Sequence, residues 1–184
     1  MVPACSSTPS GPNPVVEMTT SMGKVKIELF QDKAPITVKN FLQYVDDKFY
    51  DGTIFHRVIS DFMIQGGGFE PGMREKNTGP AIRNESDNGL KNVRSTIAMA
   101  RTPIVDSATA QFFVNVKDNT RGLDPKRGRD GYAVFGKVID GMDVVDKIKE
   151  VPTANQGGHE AVPIENVMIL SIRRVERQDT AEKK

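Results

Sequence analysis

An arginine in the middle of an apolar strand is the first residue here that asks for a chemical role. In FHRVISDFMIQGGG (residues 55–68), Arg57 stands between Phe55 and Ile59, and strand alternation puts all three on one face. By the same alternation Met63 and Gln65 share a face of FMIQ. Gln111 and Phe113 share a face of QFFVNV, with Phe112 opposite. If these strands are neighbours, Arg57, Met63, Gln65, Gln111 and Phe113 converge on one patch. Its centre is apolar, and its edge carries one fixed cation and two amides. It contains no carboxylate pair, no nucleophile beside a base and no metal ligand. That sets aside acid–base hydrolysis, covalent catalysis and metal-assisted chemistry at this patch. What such a patch offers is a directed guanidinium donor beside an apolar surface. The plain alternative is that Arg57 reaches past its neighbours to solvent, and alternation alone leaves both readings open.

The glycines 66–68 are not a phosphate loop, because Phe69-Glu70 follows them where Gly-Lys-Ser/Thr is needed. Glycine here instead permits a sharp exit from the strand and a close approach of neighbouring chain.

The elements that must position these residues are mostly strands. Eight runs are rich in β-branched and aromatic residues: 15–20, 24–30, 53–58, 62–65, 95–100, 111–116, 132–139 and 166–175. Ser21-Met22-Gly23 marks a hairpin between the first two. A helix is predicted from about Pro35 to Asp47, where proline suits the first turn and Val38, Phe41, Leu42 and Val45 form an apolar stripe. A second is predicted over 142–149, with Val144, Val145 and Ile148 on one side and Asp143 near its start. His56 reads as a structural residue facing away from Arg57, His159 as a loop residue after Gly157-Gly158, and Phe112 as core. The pattern predicts a mainly β fold, a closed eight-stranded antiparallel barrel capped by two α-helices.

The chain has 184 residues, which suits one domain. Residues 1–14 are rich in Pro, Ser and Gly and read as a flexible arm, 15–176 as the domain, and 177–184 as a polar tail. The 25 Lys and Arg nearly balance the 24 Asp and Glu, for a net charge of +1. Bulk attraction to nucleic acid is therefore not expected. No apolar run approaches the ~20 residues of a membrane span. One cysteine and two histidines are too few for a Cys cluster or a histidine-rich metal site, so no metal is expected. Val2-Pro3-Ala4-Cys5 has the form of a lipoprotein cleavage box without the apolar stretch that should precede it. A cytoplasmic location is expected for the chain as given, and a periplasmic lipoprotein if an upstream signal precedes Cys5.

Three motifs in order carry a family resemblance. FHRVISDFMIQGGG, TIAMARTPIVDSATAQFFVNV (96–116) and YAVFGKVIDGMDVVDKI (132–148) resemble the cyclophilin family of peptidyl-prolyl isomerases, closest to its bacterial members, over residues 15–176. The resemblance implies that Arg57 is the catalytic arginine, with Gln65 beside it to hold its fork. It implies a pocket for the substrate proline made by Phe62, Met63, Phe113 and Leu123. Ala100, Arg101 and Gln111 would line a groove for the residues before proline. Arg101 would act mainly through its backbone, leaving its side chain less constrained. Tyr132 stands where animal members have a pocket histidine, and either presents its hydroxyl or simply packs. No metal and no cofactor are implied. The expected partners are proline-containing peptides and unfolded or exposed segments, met by a monomer. A non-catalytic peptide-binding module with the same groove is the alternative. One departure stands out: animal members have a tryptophan just before the position of Leu123, whereas Arg121-Gly122 stand here and the chain has no tryptophan. Only weak cyclosporin binding is expected in consequence.

Overall fold

The computed structural model describes residues 11–175. Most of the expected N-terminal arm and the whole expected C-terminal tail lie outside the described residues. In chain order the elements are β1 (Val15–Thr20), β2 (Gly23–Leu29), α1 (Pro35–Asp46), β3 (Thr53–Ile59), β4 (Met63–Gly66), β5 (Phe69–Glu70), β6 (Arg74–Glu75) and β7 (Thr96–Met99). They continue with β8 (Phe112–Asn115), α2 (Thr120–Leu123), β9 (Val134–Asp140), α3 (Met142–Lys149), β10 (Thr153–Gln156), β11 (His159–Pro163) and β12 (Met168–Arg174).

Eight strands close an antiparallel barrel in the order β1-β12-β3-β4-β8-β7-β9-β2. Alternation does the sorting. Val16, Met18 and Thr20 of β1 and Val25, Ile27 and Leu29 of β2 are buried, while the residues between them are not. The helices lay their apolar stripes on the same core, Val38, Phe41, Leu42 and Val45 from α1 and Val144, Val145 and Ile148 from α3. Phe41 reaches the rings of Phe112 and Phe135 at 5.7 and 5.1 Å. Burial of each such side chain contributes about 1.5–3 kcal/mol.

The start of α1 is capped from far away. Ala34 has no side chain that can accept the orphan N–H groups. The Glu85 carboxylate accepts them instead, from the backbone of Ile36 at 3.1 Å and of Thr37 at 2.8 Å, and also accepts from the Thr37 hydroxyl at 2.7 Å. This anion at the helix N-terminus ties the connection between β6 and β7 to the barrel end.

Three features go beyond the expected list. Helix α2 is a single turn, β5 and β6 pair in a small ladder, and β10 and β11 form a separate hairpin. His159 is therefore not a loop residue. It opens β11 opposite Gln156, because Gly157 and Gly158, at φ +60° and +79°, form the turn itself. Every residue of β10 is exposed, so no buried–exposed alternation marks it as a strand.

Candidate active site

The site is built on one row of residues across the outer face of the barrel. Arg57 on β3 is the register partner of Gln65 on β4, Gln65 of Phe113 on β8, Phe113 of Ala98 on β7, and Ala98 of Val134 on β9. Met63, Ala98, Phe113, Leu123 and Val134 form a buried apolar cluster of their own on this face. Phe62, Ala100 and Tyr132 pack against it.

Arg57 faces this cluster because β3 is bulged. The ladder steps from Phe55–Gly66 to Arg57–Gln65, so His56 is an extra residue on β3. Simple alternation puts Phe55 and Arg57 on one face, and the bulge overturns that. Phe55 turns into the barrel core, 6.4 Å from the Phe112 ring, while Arg57 stays outside, half-buried. Its guanidinium makes no hydrogen bond and no ion pair among the described residues. Gln65 lies beside it in register, but the Gln65 amide donates to Oε1 of Gln111 at 3.0 Å.

The glycines explain that amide pair. Gly67 has φ +84°, and a Cβ there would fall 2.8 Å from the Phe112 ring and 2.9 Å from Tyr50. A Cβ on Gly68 would lie 2.4 Å from Cγ of Gln111. Gly68 thus leaves the space in which Gln111 meets Gln65. Gly68→Ala is expected to displace Gln111 and break its hydrogen bond with Gln65, lowering stability by on the order of 1 kcal/mol. An unchanged urea midpoint would show that Gln111 and its neighbours yield without cost.

Phe62 sits in the β3–β4 turn. Its carbonyl accepts from Asn119 Nδ2 at 2.7 Å and from the Val116 N–H at 3.2 Å. Asn119 also donates to Asn115, Asn115 to Asn92, and Asn92 to Asp124 at 3.0 Å. These four polar residues are all buried beneath the site. They tie the Phe62 turn to α2 and thus to Leu123, whose N–H donates to the Asn119 carbonyl at 2.9 Å. A fully satisfied buried network of this kind fixes geometry. Sequence reasoning missed it, although Asn115 inside the apolar run QFFVNV was a visible signal.

Arg101 also differs from expectation, because its side chain is tightly held. Its guanidinium donates to the carbonyls of Thr102, Asp130 and Gly131 at 3.0–3.3 Å and covers the Tyr132 ring at 4.7 Å. Tyr132 meets Phe113 edge-on at 5.7 Å. Packing between Arg101 and Phe113 therefore accounts for the tyrosine ring, and its hydroxyl has no hydrogen bond among the described residues.

Arg57, Phe62, Met63, Gln65, Ala100, Arg101, Phe113, Leu123 and Tyr132 line one cleft of about 240 Å³. Gln111 lines an adjoining cleft of about 200 Å³, which shares Gln65, Ala100 and Arg101 and adds Glu75. Every residue expected at the site is thus brought to one continuous groove. It offers an apolar cup beside an unpaired guanidinium. Among the described residues no three His, Cys, Asp or Glu group together as metal ligands would.

Known proteins point the same way. The family described as cyclophilin type peptidyl-prolyl cis-trans isomerase/CLD matches residues 15–174. A peptidyl-prolyl cis-trans isomerase of Acinetobacter baylyi is 59% identical over 161 residues, covering 88% of this chain and 85% of that protein. Peptidyl-prolyl cis-trans isomerase B of Escherichia coli is 56% identical over 161 residues, covering 86% and 98%. Among solved structures, a Cryptosporidium parvum cyclophilin type isomerase overlays with a TM-score of 0.76 at 28% identity, over 90% of this chain and 99% of that one. The same protein crystallised in the presence of the dipeptide Ala-Pro gives 0.74.

Proposed function

The chain belongs to the cyclophilin family and is a peptidyl-prolyl cis-trans isomerase; from that premise we propose that Arg57 drives the reaction and that the apolar cup beside it holds the substrate proline. Rotation about a peptide bond meets a barrier of about 18–20 kcal/mol, since the C–N bond has partial double-bond character. Accelerating it breaks no bond. It requires tighter binding of the twisted amide than of either planar isomer. Twisting returns the lone pair to the prolyl nitrogen, which becomes a hydrogen-bond acceptor. A guanidinium aimed at that nitrogen stabilises the transition state more than the ground state.

The observation that carries this reading is the position of Arg57. It lines the cleft with all its donors uncommitted among the described residues, next to Phe62, Met63, Phe113 and Leu123. These four would grip the pyrrolidine ring while the acyl side turns. Gln65 supports the arginine through register and shares its amide bond with Gln111, in the groove for the residues before proline. Ala100 and Arg101 form the wall between the two clefts, and Tyr132 closes the rim. An isomerisation assay on an Ala-Pro peptide, coupled to a protease specific for the trans form, tests the reading. Marked acceleration over the uncatalysed exchange is expected. Binding of the peptide without acceleration would favour a non-catalytic module with the same groove.

Partners are proline-containing peptides and exposed segments of other proteins, met by residues 15–176 acting as a monomer. No helix among the described residues is long and apolar enough to cross a membrane. Whether the enzyme works in the cytoplasm or as a periplasmic lipoprotein anchored at Cys5 turns on whether an apolar leader is encoded upstream of Cys5, and the genomic start site decides this.

Cyclosporin should bind weakly. The rim tryptophan of animal members supplies an indole donor and a flat apolar wall, and Gly122 supplies neither. Losing a satisfied polar contact or an aromatic wall costs on the order of 1–3 kcal/mol. At least about tenfold weaker inhibition is expected than for a tryptophan-bearing cyclophilin assayed alongside. A Cβ at Gly122 would meet nothing within 4 Å, and the residue lies in α2. Gly122→Trp therefore meets no obstacle at its Cβ and should tighten inhibition, while equal potency against both enzymes would rule out the rim as the cause.

A further inference from the structure

The rim of the cleft continues into a hairpin whose cations have no ion-pair partner among the described residues. Leu123 and Tyr132, both cleft residues, are joined by the Tyr132 N–H donating to the Leu123 carbonyl at 2.9 Å. Between them Lys126 and Arg129 exchange backbone hydrogen bonds, each at 2.9 Å, and close a tight turn. Lys126 Nζ donates to the Arg121 carbonyl, and Arg129 Nη2 to the Asp124 carbonyl at 3.2 Å. The loop is thus held in shape, not left to wander.

Its charge is one-sided. Arg121, Lys126, Arg127 and Arg129 are all exposed. None forms an ion pair among the described residues, whereas Arg94, Arg173 and Arg174 each close onto an aspartate. Asp124 points inward to Asn92, which leaves Asp130 as the outward carboxylate of the loop. The charged side chains lining the cleft itself are Arg57 and Arg101, both cations. The adjoining cleft shares Arg101 but sets the carboxylate of Glu75 beside it.

The geometry points to a substrate preference: X–Pro segments carrying carboxylates one to three residues after the proline. This rests on the isomerase reading above, in which residues before proline run toward the Glu75 cleft. Those after it then leave past the Leu123–Tyr132 rim. Exposed charges act through solvent, so the preference is modest and fades once ionic strength shortens the screening length below about 8–10 Å.

The test compares three peptides that differ only after proline, with Glu, Ala or Lys, and a fourth with Glu placed before it. Wild type and an Arg121→Gln, Arg127→Gln double variant are assayed at low and high salt. Neither of those side chains makes a hydrogen bond among the described residues, so the loop should keep its shape. At low salt the wild type should favour the Glu-after over the Lys-after peptide by about threefold or more in kcat/KM. That ratio should approach one at high salt and fall clearly in the variant, which keeps Lys126 and Arg129, with turnover of the Ala peptide unchanged. Equal wild-type rates at low salt would overturn the preference. So would a ratio undiminished in the variant, or an equal gain from Glu before proline. Should no peptide be turned over, the isomerase reading fails, and binding of the same labelled peptides by anisotropy still decides whether the rim selects acidic chains.

Discussion

Arg57→Ala is expected to lower kcat/KM for an X–Pro peptide by on the order of 10²–10³, the cost of removing one directed donor to a developing transition-state charge. The thermal midpoint should hardly move, because the guanidinium has no intramolecular hydrogen bond or ion pair to lose among the described residues and Arg57 is only half-buried. Arg57→Lys is the sharper experiment. It keeps the charge but loses the planar fork and its direction. A loss of at least about tenfold, or about 1.4 kcal/mol of transition-state stabilisation, is expected. If charge alone were sufficient, lysine would restore most of the rate. Near-normal kcat/KM in both purified variants would remove Arg57 from the mechanism.

The second large effect belongs to the bulged neighbour, His56. It is almost fully buried between the Phe69 ring at 4.5 Å and the His159 ring at 6.4 Å, and its Nδ1 has no hydrogen-bond partner among the described residues. Burial, then the nearby His159 and Arg57, push its pKa down from 6.5 to about 4. The unfolded chain takes up this proton near pH 6.5, whereas the folded chain refuses it until about pH 4. The associated stability is complete above pH 6.5 and is lost as pH falls from there toward 4. About 2 kcal/mol should be gone by pH 5, and on the order of 3 kcal/mol by pH 4. Asp46, Asp51 and Asp146 are held below the ordinary carboxylate range by hydrogen bonds from Arg174, Arg173 and Arg94, so they stay charged through the upper part of this window. Urea unfolding at pH 7 and pH 5 isolates the histidine. His56→Phe, which also removes the orphaned nitrogen, should lose about 2 kcal/mol less than wild type between those two values. An identical loss in both proteins would place the acid sensitivity elsewhere.

Most barrel strands, α1 and α3 were legible because their apolar residues repeat at the period of the element that buries them. Val16, Met18 and Thr20 follow period two, and Val38, Phe41, Leu42 and Val45 follow the helical stripe. The residues that line the cleft, Leu123 apart, lie within the three motifs. Their roles, however, rest on resemblance, since strand alternation alone set Phe55 beside Arg57. A bulge is one inserted residue with no compositional mark, so the turning of Phe55 into the core could not be read in advance. The Glu85 cap and the Asn92, Asn115, Asn119 and Asp124 network were hidden for a related reason. Apart from Asn115, which stands out within an apolar strand, each residue looks like an ordinary turn or surface residue until the fold brings its partner from a distant part of the sequence. β10 and β11 were missed because a short exposed hairpin buries too little to leave a pattern.

The ladder between β1 and β12, which runs from Val16–Arg174 to Thr20–Ile169, has a consequence for how the protein is made. Among the described residues the first strand pairs with the last. Until β12 emerges from the ribosome, β1 and β3 are open sheet edges with unpaired backbone groups, the kind of surface that recruits other strands. Closure of the barrel therefore waits for β12 and joins widely separated parts of the chain, which topology makes slow. A nascent chain stalled before Met168 should be protease-sensitive and prone to associate, and release of the last strand should end both at once.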